Sequence, residues 1–234
     1  MVCPRLFKAW FRRPSAIGAA LLLLWSTASC GRSLPNPVTV KDGLARIPIG
    51  TMVFVIPEKT WLKGYSRNST DGLVSGFQLH ASAPEVEPWS PENNARMYKV
   101  PGWGTQIQVT VDLPPEGTHL RKQTQELFEK EDGCYFSEPT AYSMKNVRVC
   151  QNNYKRILGY LQDGQFKYIL YCDSDVAKKR EVFSTDPECR LNFRYRETLL
   201  IQATFAERYS KSAFDIAKRL EAKLIEFDKT AAEE

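Results

Sequence analysis

The chain has 234 residues, of which 43% are hydrophobic and 12% aromatic, enough to fill the core of one large or two small domains. Its formal net charge is +5, but Arg5, Lys8, Arg12 and Arg13 contribute four of the positive charges, so residues 30–234 are near +1. Because nucleic-acid binding depends on a concentrated basic patch, this balance argues against a nucleic-acid partner.

The first 30 residues have the layout of a secretory signal peptide. A basic start is followed by an apolar stretch at residues 16–25, which is about half the roughly 20 residues needed to span a membrane. Small residues then lead directly into Cys30, as in bacterial lipoprotein signals. We therefore predict a lipoprotein signal peptide over residues 1–29 and acylation of Cys30 (palmitate). Cleavage after Ala28 without a lipid is the alternative.

The predicted lipid anchor places the protein in the periplasm. Gly31 follows Cys30, and in similar lipoproteins an aspartate at that position is associated with retention in the inner membrane. Attachment to the outer membrane is therefore favoured over the inner membrane. Residues 30–45, which include Pro35, Pro37 and Gly43, are predicted to form a tether between lipid and fold.

The first folded half begins with strands predicted at residues 46–56, 73–82 and 105–113. In the last of these, apolar side chains alternate cleanly onto one face. The members of that face are Ile107, Val109, Val111 and Leu113. Thr118 can then cap a helix that continues to about residue 130.

The second half repeats this order, with strands predicted at 145–150, 154–162, 165–172 and 190–205. The last strand is expected to bend or break near Glu197, and a helix follows at residues 210–228. Its apolar stripe consists of Phe214, Ala217, Leu220, Leu224 and Phe227. The predicted fold class is α+β, with two antiparallel β-meander-plus-helix lobes and the helices packed on the sheets. The lobes span residues 46–132 and 133–234.

Four cysteines follow Cys30, and in an oxidising compartment they imply two disulfides with three possible connectivities. The four are Cys134, Cys150, Cys172 and Cys189. Hairpin turns at Asn152-Asn153 and Asp163-Gly164 would place Cys150 and Cys172 on either side of one strand, opposite Lys155. They would be about 9 to 10 Å apart, beyond the roughly 7 Å that a disulfide allows. The pairs Cys134–Cys150 and Cys172–Cys189 are therefore favoured.

Motifs for catalysis or metal binding are weak in this sequence. It has no G-x-S-x-G, no H-E-x-x-H and no C-x-x-C, and its two histidines, His80 and His119, are far apart in sequence. A pair of carboxylates acting as acid and base would depend on the fold. We therefore expect no enzymatic activity, no cofactor and no metal site.

The segment from residue 83 to residue 104 is the strongest candidate for a binding site. It is longer than most connections and has no clear periodicity. Tryptophan, tyrosine and arginine dominate binding hot spots in protein interfaces. The predicted partner-binding residues are Trp89, Arg96, Tyr98 and Trp103. The alternative is that Trp89 and Trp103 fold back as a lid on the core.

Residues 189–195, the strand at 199–205 and the helix that ends at residues 223–227 carry a family resemblance. Together with the signal peptide and the paired cysteines, they resemble periplasmic immunity lipoproteins that accompany type VI secretion effectors, especially phospholipase effectors. The resemblance covers the signal and roughly the last hundred residues. It implies a protein that inhibits a toxic effector by binding it. The alternative is a structural or assembly lipoprotein of the envelope or of a secretion machine; a lipoprotein hydrolase ranks third.

Replacing Cys30 by serine tests the predicted anchor. Because the thiol is the acylation site, we expect Cys30→Ser protein to incorporate no fatty-acid label and to be processed differently. Metabolic labelling of the two proteins measures this, with Cys3→Ser as the matched control because Cys3 leaves with the signal peptide. Equal label in wild type and Cys30→Ser would contradict the prediction.

Overall fold

The computed structural model describes residues 36–68, 71–99, 103–114, 128, 134–138, 141–142, 145–151, 155–173 and 188–230. The predicted signal peptide, Cys30 and the helix predicted from Thr118 therefore lie outside the described residues, apart from Phe128. Within these ranges, no helix is long and apolar enough to cross a membrane.

The described part of the chain contains strands, two α-helices and a 3₁₀ helix. The strands of the first half are β1 (Thr39–Lys41), β2 (Leu44–Ile49), β3 (Met52–Pro57), β4 (Leu62–Arg67), β5 (Val74–Ser82), β6 (Glu87–Pro88) and β7 (Gln106–Asp112). Those of the second half are β8 (Tyr135–Phe136), β9 (Val147–Gln151), β10 (Lys155–Gln162), β11 (Gln165–Asp173), β12 (Glu188–Tyr195) and β13 (Leu199–Ala206). The helices are α1 (Asn94–Tyr98), the 3₁₀ helix (Glu207–Ser212) and α2 (Ala213–Phe227).

These strands form two antiparallel sheets. β1, β2 and β3 make a small sheet, while the other ten described strands share a large one in the order β4-β5-β7-β13-β12-β11-β10-β9-β8, with β6 paired to β5. The strands predicted at 73–82 and 105–113 belong to this sheet and meet the strands of the second half where β7 pairs with β13, whereas the strand predicted at 46–56 lies in the small sheet. The α+β class, with antiparallel sheets and a helix packed on them, is confirmed.

One face of the large sheet is buried, and we call it the covered face. Alternate side chains of its strands point into the core, among them Phe77, Val109, Leu191, Ile201 and Phe205. The small sheet and α2 pack against this face. The five residues of the predicted apolar stripe of α2 are all buried there. The predicted packing of a helix on the sheet is thus observed for α2.

Aromatic contacts show how the layers fit together on the covered face. The ring of Phe54 in β3 lies 5.2 Å from that of Phe77 in β5. Phe214 of α2 stacks on Tyr168 of β11 at 6.3 Å. Burial of such rings is among the larger apolar contributions to folding stability. Both the small sheet and α2 are therefore integral to the core.

The start of the fold differs from the prediction. The tether was expected to extend to residue 45, yet β1 pairs with β2 across a turn at Asp42-Gly43. Both turn residues have positive φ (51° and 76°), as the tightest hairpin turns require. A second turn at Gly50 (φ 58°) divides the single strand predicted at residues 46–56 into β2 and β3.

A β-bulge in β11 changes the register of the second half. Asp163-Gly164 forms the predicted two-residue turn, but Phe166 pairs with Leu161 while Tyr168 pairs with Tyr160, which leaves Lys167 as an extra residue. The shift places Arg156, instead of the predicted Lys155, opposite Cys172. It also turns the ring of Phe166 away from the covered face, because a one-residue shift exchanges the faces.

The disulfides join Cys134 to Cys150 and Cys172 to Cys189, the two pairs that the hairpin argument favours. Cys150 lies opposite Ile157, not Lys155. The turn predicted at Asn152-Asn153 lies outside the described residues. Adjacent residues of a strand point to opposite faces. The Cys172–Cys189 disulfide therefore lies in the core, whereas Cys150 joins a small apolar cluster on the opposite face of the sheet.

Gly159 of β10 offers a test of that small cluster. The rings of Phe128 and Phe166 stack at 4.4 Å, and a Cβ added at Gly159 would lie 2.5 Å from Cδ1 of Phe166 and 2.9 Å from Cζ of Phe128. We expect Gly159→Ala to lower the free energy of unfolding by about 1–3 kcal/mol, since overpacking forces rings from their positions.

The matched control is Gly64→Ala in β4, where an added Cβ would meet nothing within 4 Å. We expect this change to stay within about 0.5 kcal/mol. Chemical denaturation of both variants measures the difference. An equal effect at the two glycines would show that the ring cluster does not constrain Gly159.

Candidate protein-binding face

The second face of the large sheet carries polar side chains, and we call it the open face. The strand registers align its side chains in rows across β5, β7, β13 and β12. One row is His80, Gln108, Thr204 and Arg190, and the next is Gln78, Thr110, Gln202 and Asn192. All of these side chains are half-buried or exposed. The open face therefore offers amides and hydroxyls to another molecule.

Hydrogen bonds within the open face hold several of these side chains in place. Gln202 donates from Nε2 to Oδ1 of Asn192 at 3.1 Å. Lys63 of β4 donates from Nζ to Oε1 of Gln108 at 3.3 Å. Side chains fixed before binding lose less conformational freedom when a partner arrives.

Three aromatic side chains meet at the β5 end of the open face, and we call them the aromatic corner. The rings of His80 and Trp89 are parallel within 7°, with centroids 6.5 Å apart. The hydroxyl of Tyr98 lies 2.6 Å from Nδ1 of His80 in a hydrogen bond. Tyr98 is 41% exposed. Two of the predicted partner-binding residues, Trp89 and Tyr98, are thus brought together by His80.

The connection that carries the aromatic corner is held by its own hydrogen bonds. The backbone N–H of Trp89 donates to the carbonyl of Thr60, and its indole N–H donates to Oδ1 of Asn94. Asn93 is buried, accepts from the N–H of Ser90 at 2.9 Å and donates to the carbonyl of Pro88 at 2.8 Å. These contacts fix a segment in which the sequence shows no periodicity.

Arg96 and Trp103, the other two predicted residues, belong to the same connection. The carbonyl of Arg96 accepts a hydrogen bond from Thr105, and that of Trp103 accepts one from Gln106. The side chain of Arg96 is exposed and that of Trp103 is half-buried. The structure thus shows a backbone role for both residues in attaching the connection to β7.

His80 was not among the predicted binding residues, because the sequence argument weighed it only for catalysis and for metal binding. The alternation of β5 gives the signal that was missed. Phe77 and Leu79 are buried on the covered face, so Gln78 and His80 must point to the open face. A histidine on a polar face beside a tryptophan-rich connection is a candidate contact residue.

The electrostatics make the aromatic corner uncharged at neutral pH. Burial, and after it the positive charge of Lys63, holds the pKa of His80 below its usual value. Burial also raises the pKa of Tyr98, so its phenol keeps its proton. Within the described ranges, no group of His, Cys, Asp and Glu side chains is arranged to hold a metal ion.

A recess lies toward the β11 end of the open face. It has a volume of about 460 Å³ and lies between the β10–β11 turn and β12. Its lining includes Phe166, Ile169, Asn192 and Arg194. Because the bulge at Lys167 turns Phe166 toward this side, the recess has an apolar wall beside polar side chains. The open face thus has aromatic features at both ends.

Comparison with known proteins identifies two solved structures with the same architecture. Smlt3025, an immunity protein of the Stenotrophomonas maltophilia type IV secretion system, matches with a TM-score of 0.57 and 12% identity, over 80% of this chain and 94% of that chain. The iron-regulated outer membrane lipoprotein FrpD of Neisseria meningitidis matches with a TM-score of 0.52 and 12% identity, over 82% and 96%. The chain shares its fold with both. No protein-family model and no curated protein sequence matches it.

Replacing Trp89 by alanine distinguishes a binding anchor from a lid on the core. Because Trp89 packs on His80 at the open face, we expect Trp89→Ala to change the free energy of unfolding by about 1 kcal/mol or less. The matched control is Trp61→Ala, since Trp61 is 5% exposed and packs edge-on against Phe227 in the core. That change should cost about 3–5 kcal/mol. Similar losses in the two variants would support the lid.

Proposed function

We propose that this protein is a non-enzymatic lipoprotein of the periplasm that binds a secreted toxic effector and inhibits it. The observation that carries the proposal is the open face, where a fixed set of polar side chains lies between the aromatic corner and the recess. A protein with such a surface can inhibit an effector without a reactive group, because binding over the active site of the effector is sufficient.

The composition of the open face suits a protein partner. Protein interfaces combine a few aromatic anchors with a polar surround that makes about one hydrogen bond per 100–200 Å². Trp89 and Tyr98 would provide anchors, and the amides of Gln78, Gln108 and Gln202 would provide hydrogen bonds around them. The affinity would depend on a few such anchors, each worth more than about 2 kcal/mol.

The fold adds support to an immunity function. One of the two structural neighbours is an immunity protein of a secretion system, and the alignment covers nearly all of it. That protein belongs to a type IV system, whereas the resemblance in the sequence is to immunity lipoproteins of type VI effectors. We propose a type VI phospholipase effector as the target, because the resemblance includes the signal peptide and the last strand and helix.

The disulfides support the proposed compartment. Two cross-strand pairs, Cys134–Cys150 and Cys172–Cys189, are typical of proteins in an oxidising environment. With acylation of Cys30, the protein would be held at the outer membrane and exposed to the periplasm. An inhibitor there would meet an effector before it reached the envelope lipids.

A structural or assembly role in the envelope is the second candidate. It is favoured by the shared fold with FrpD, an outer membrane lipoprotein. The two functions differ in one observable property. An immunity protein protects cells that express a toxic effector in the periplasm, whereas an assembly protein does not.

The test combines that protection assay with a substitution on the open face. Thr110 is half-buried in the middle of a row, between Gln78 and Gln202. We expect Thr110→Arg to abolish protection and to weaken binding of the effector against which the wild type protects at least about 30-fold, the equivalent of 2 kcal/mol.

The matched control is Ile225→Arg, because Ile225 is 62% exposed on α2, which packs on the covered face. We expect full protection and an unchanged affinity from this variant. Melting temperatures of both variants would show that each is folded. Loss of binding in Ile225→Arg with normal binding in Thr110→Arg would move the interface to the helix. Failure of the wild type to protect against any envelope-targeted effector would exclude the immunity function.

A further inference from the structure

We propose that His80 positions the anchors of the aromatic corner and that protonation of its imidazole breaks the contacts with Trp89 and Tyr98, so that acidification weakens partner binding. The corner with these contacts is called closed, and the corner without them is called open. The effect on the partner rests on the proposed function, whereas the opening of the corner is a property of this chain alone.

The geometry gives His80 the central place in the corner. One face of its ring stacks with Trp89, and Nδ1 shares a 2.6 Å hydrogen bond with the hydroxyl of Tyr98. Trp89 and Tyr98 come from different parts of the connection: Trp89 precedes α1, and Tyr98 is the last residue of α1. The imidazole therefore joins the two side chains directly, in addition to the hydrogen bond from the indole of Trp89 to Asn94 at the start of α1.

The second ring nitrogen makes protonation unfavourable in the closed corner. Nε2 of His80 is buried and has no hydrogen-bond partner among the described residues. A neutral imidazole carries one N–H, but the cation carries an N–H on both nitrogens. In the cation, the N–H on Nε2 would thus be a buried charged donor without an acceptor. Leaving a charged group unsatisfied costs more free energy than leaving a neutral group unsatisfied. Opening the corner would expose this nitrogen to water.

The charge that acts on the ring, that of Lys63, works in the same direction. Lys63 of β4 is the charge that lowers the pKa of His80, in addition to burial. On β7 the neighbour is Gln108, a neutral amide that accepts a hydrogen bond from Lys63. Glu87 of β6 and Arg96 of α1 are exposed. A cation at His80 would therefore face Lys63 across the open face.

The sign of the pH effect follows from proton linkage. In the open corner His80 has its ordinary pKa of about 6.5, whereas in the closed corner the pKa is lower, so the proton binds preferentially to the open form. The closed form is fully favoured above about pH 6.5. Between pH 6.5 and the lower pKa of His80 in the closed corner, each decrease of one pH unit raises the ratio of open to closed forms by up to about tenfold.

Solution NMR on the full chain with His119→Gln, in which His80 is the remaining histidine, tests the opening without a partner. We expect the imidazole Cε1–H signal to titrate with a midpoint below 6.5, and the indole N–H signal of Trp89 to move with the same midpoint. Lys63→Gln should raise the midpoint, and Lys59→Gln, at an exposed site, should leave it unchanged. A midpoint at the ordinary value with no movement of Trp89 would overturn the proposal.

Variants at position 80 assign the movement of Trp89 to this histidine. His80→Phe keeps a ring for stacking but cannot be protonated, so the Trp89 signal should no longer change between pH 7.5 and pH 4.5. His80→Gln provides a second uncharged side chain if the first variant fails to fold. The same titration of Trp89 in both variants would show that another group causes it.

Binding measurements separate this proposal from the function on which it rests. The affinity for the effector against which the wild type protects should fall as the pH is lowered in the wild type and stay constant in His80→Phe. Equal pH dependence in both would remove the regulatory role. If no such effector binds at any pH while the NMR result holds, the proposed function fails and the opening of the corner stands.

Discussion

The pairing of β7 with β13 joins the two halves of the large sheet, and both faces take their character from its register. Ile107 lies opposite Phe205 and Val109 opposite Ala203, which makes the covered face continuous across strands that are distant in sequence. The same register places Thr110 beside Gln202 on the open face. A slip of one residue would exchange the two faces, so one set of backbone hydrogen bonds determines both the core and the candidate interface.

The asymmetry between the faces continues into the second half. The Cys172–Cys189 disulfide is part of the core, while the Cys134–Cys150 disulfide belongs to the small cluster with Phe128 and Phe166. Near that cluster the bulge at Lys167 interrupts the alternation of β11. A disulfide stabilises a fold mainly by restricting the unfolded chain. The two disulfides thus provide this restriction on opposite faces of the second half of the sheet.

Local patterns predicted the local parts of this structure. Alternation predicted the buried side chains Ile107, Val109 and Val111 of β7, although Leu113 lies beyond the strand and is 38% exposed. The apolar stripe predicted α2, and the break expected near Glu197 is the turn between β12 and β13. The Asp42-Gly43 turn carried a sequence signal as strong as the Asp163-Gly164 turn, but the nearby prolines favoured a tether. The β7–β13 pairing and the bulge at Lys167 are set by tertiary contacts, and no short-range pattern encodes them. At the candidate site, composition identified Trp89 and Tyr98, whereas the role of His80 depends on which strand lies beneath them.

Because the aromatic corner is held by polar contacts rather than by the core, its order is separable from the stability of the fold. Trp89 contacts His80, Asn94 and the carbonyl of Thr60, none of which belongs to the apolar core cluster. Regions with few buried apolar contacts open at a lower free energy than the core does. A partner would therefore meet a surface on which the imidazole joins the two anchors, and in our proposal a change of charge on that ring alters recognition while the sheet beneath stays intact.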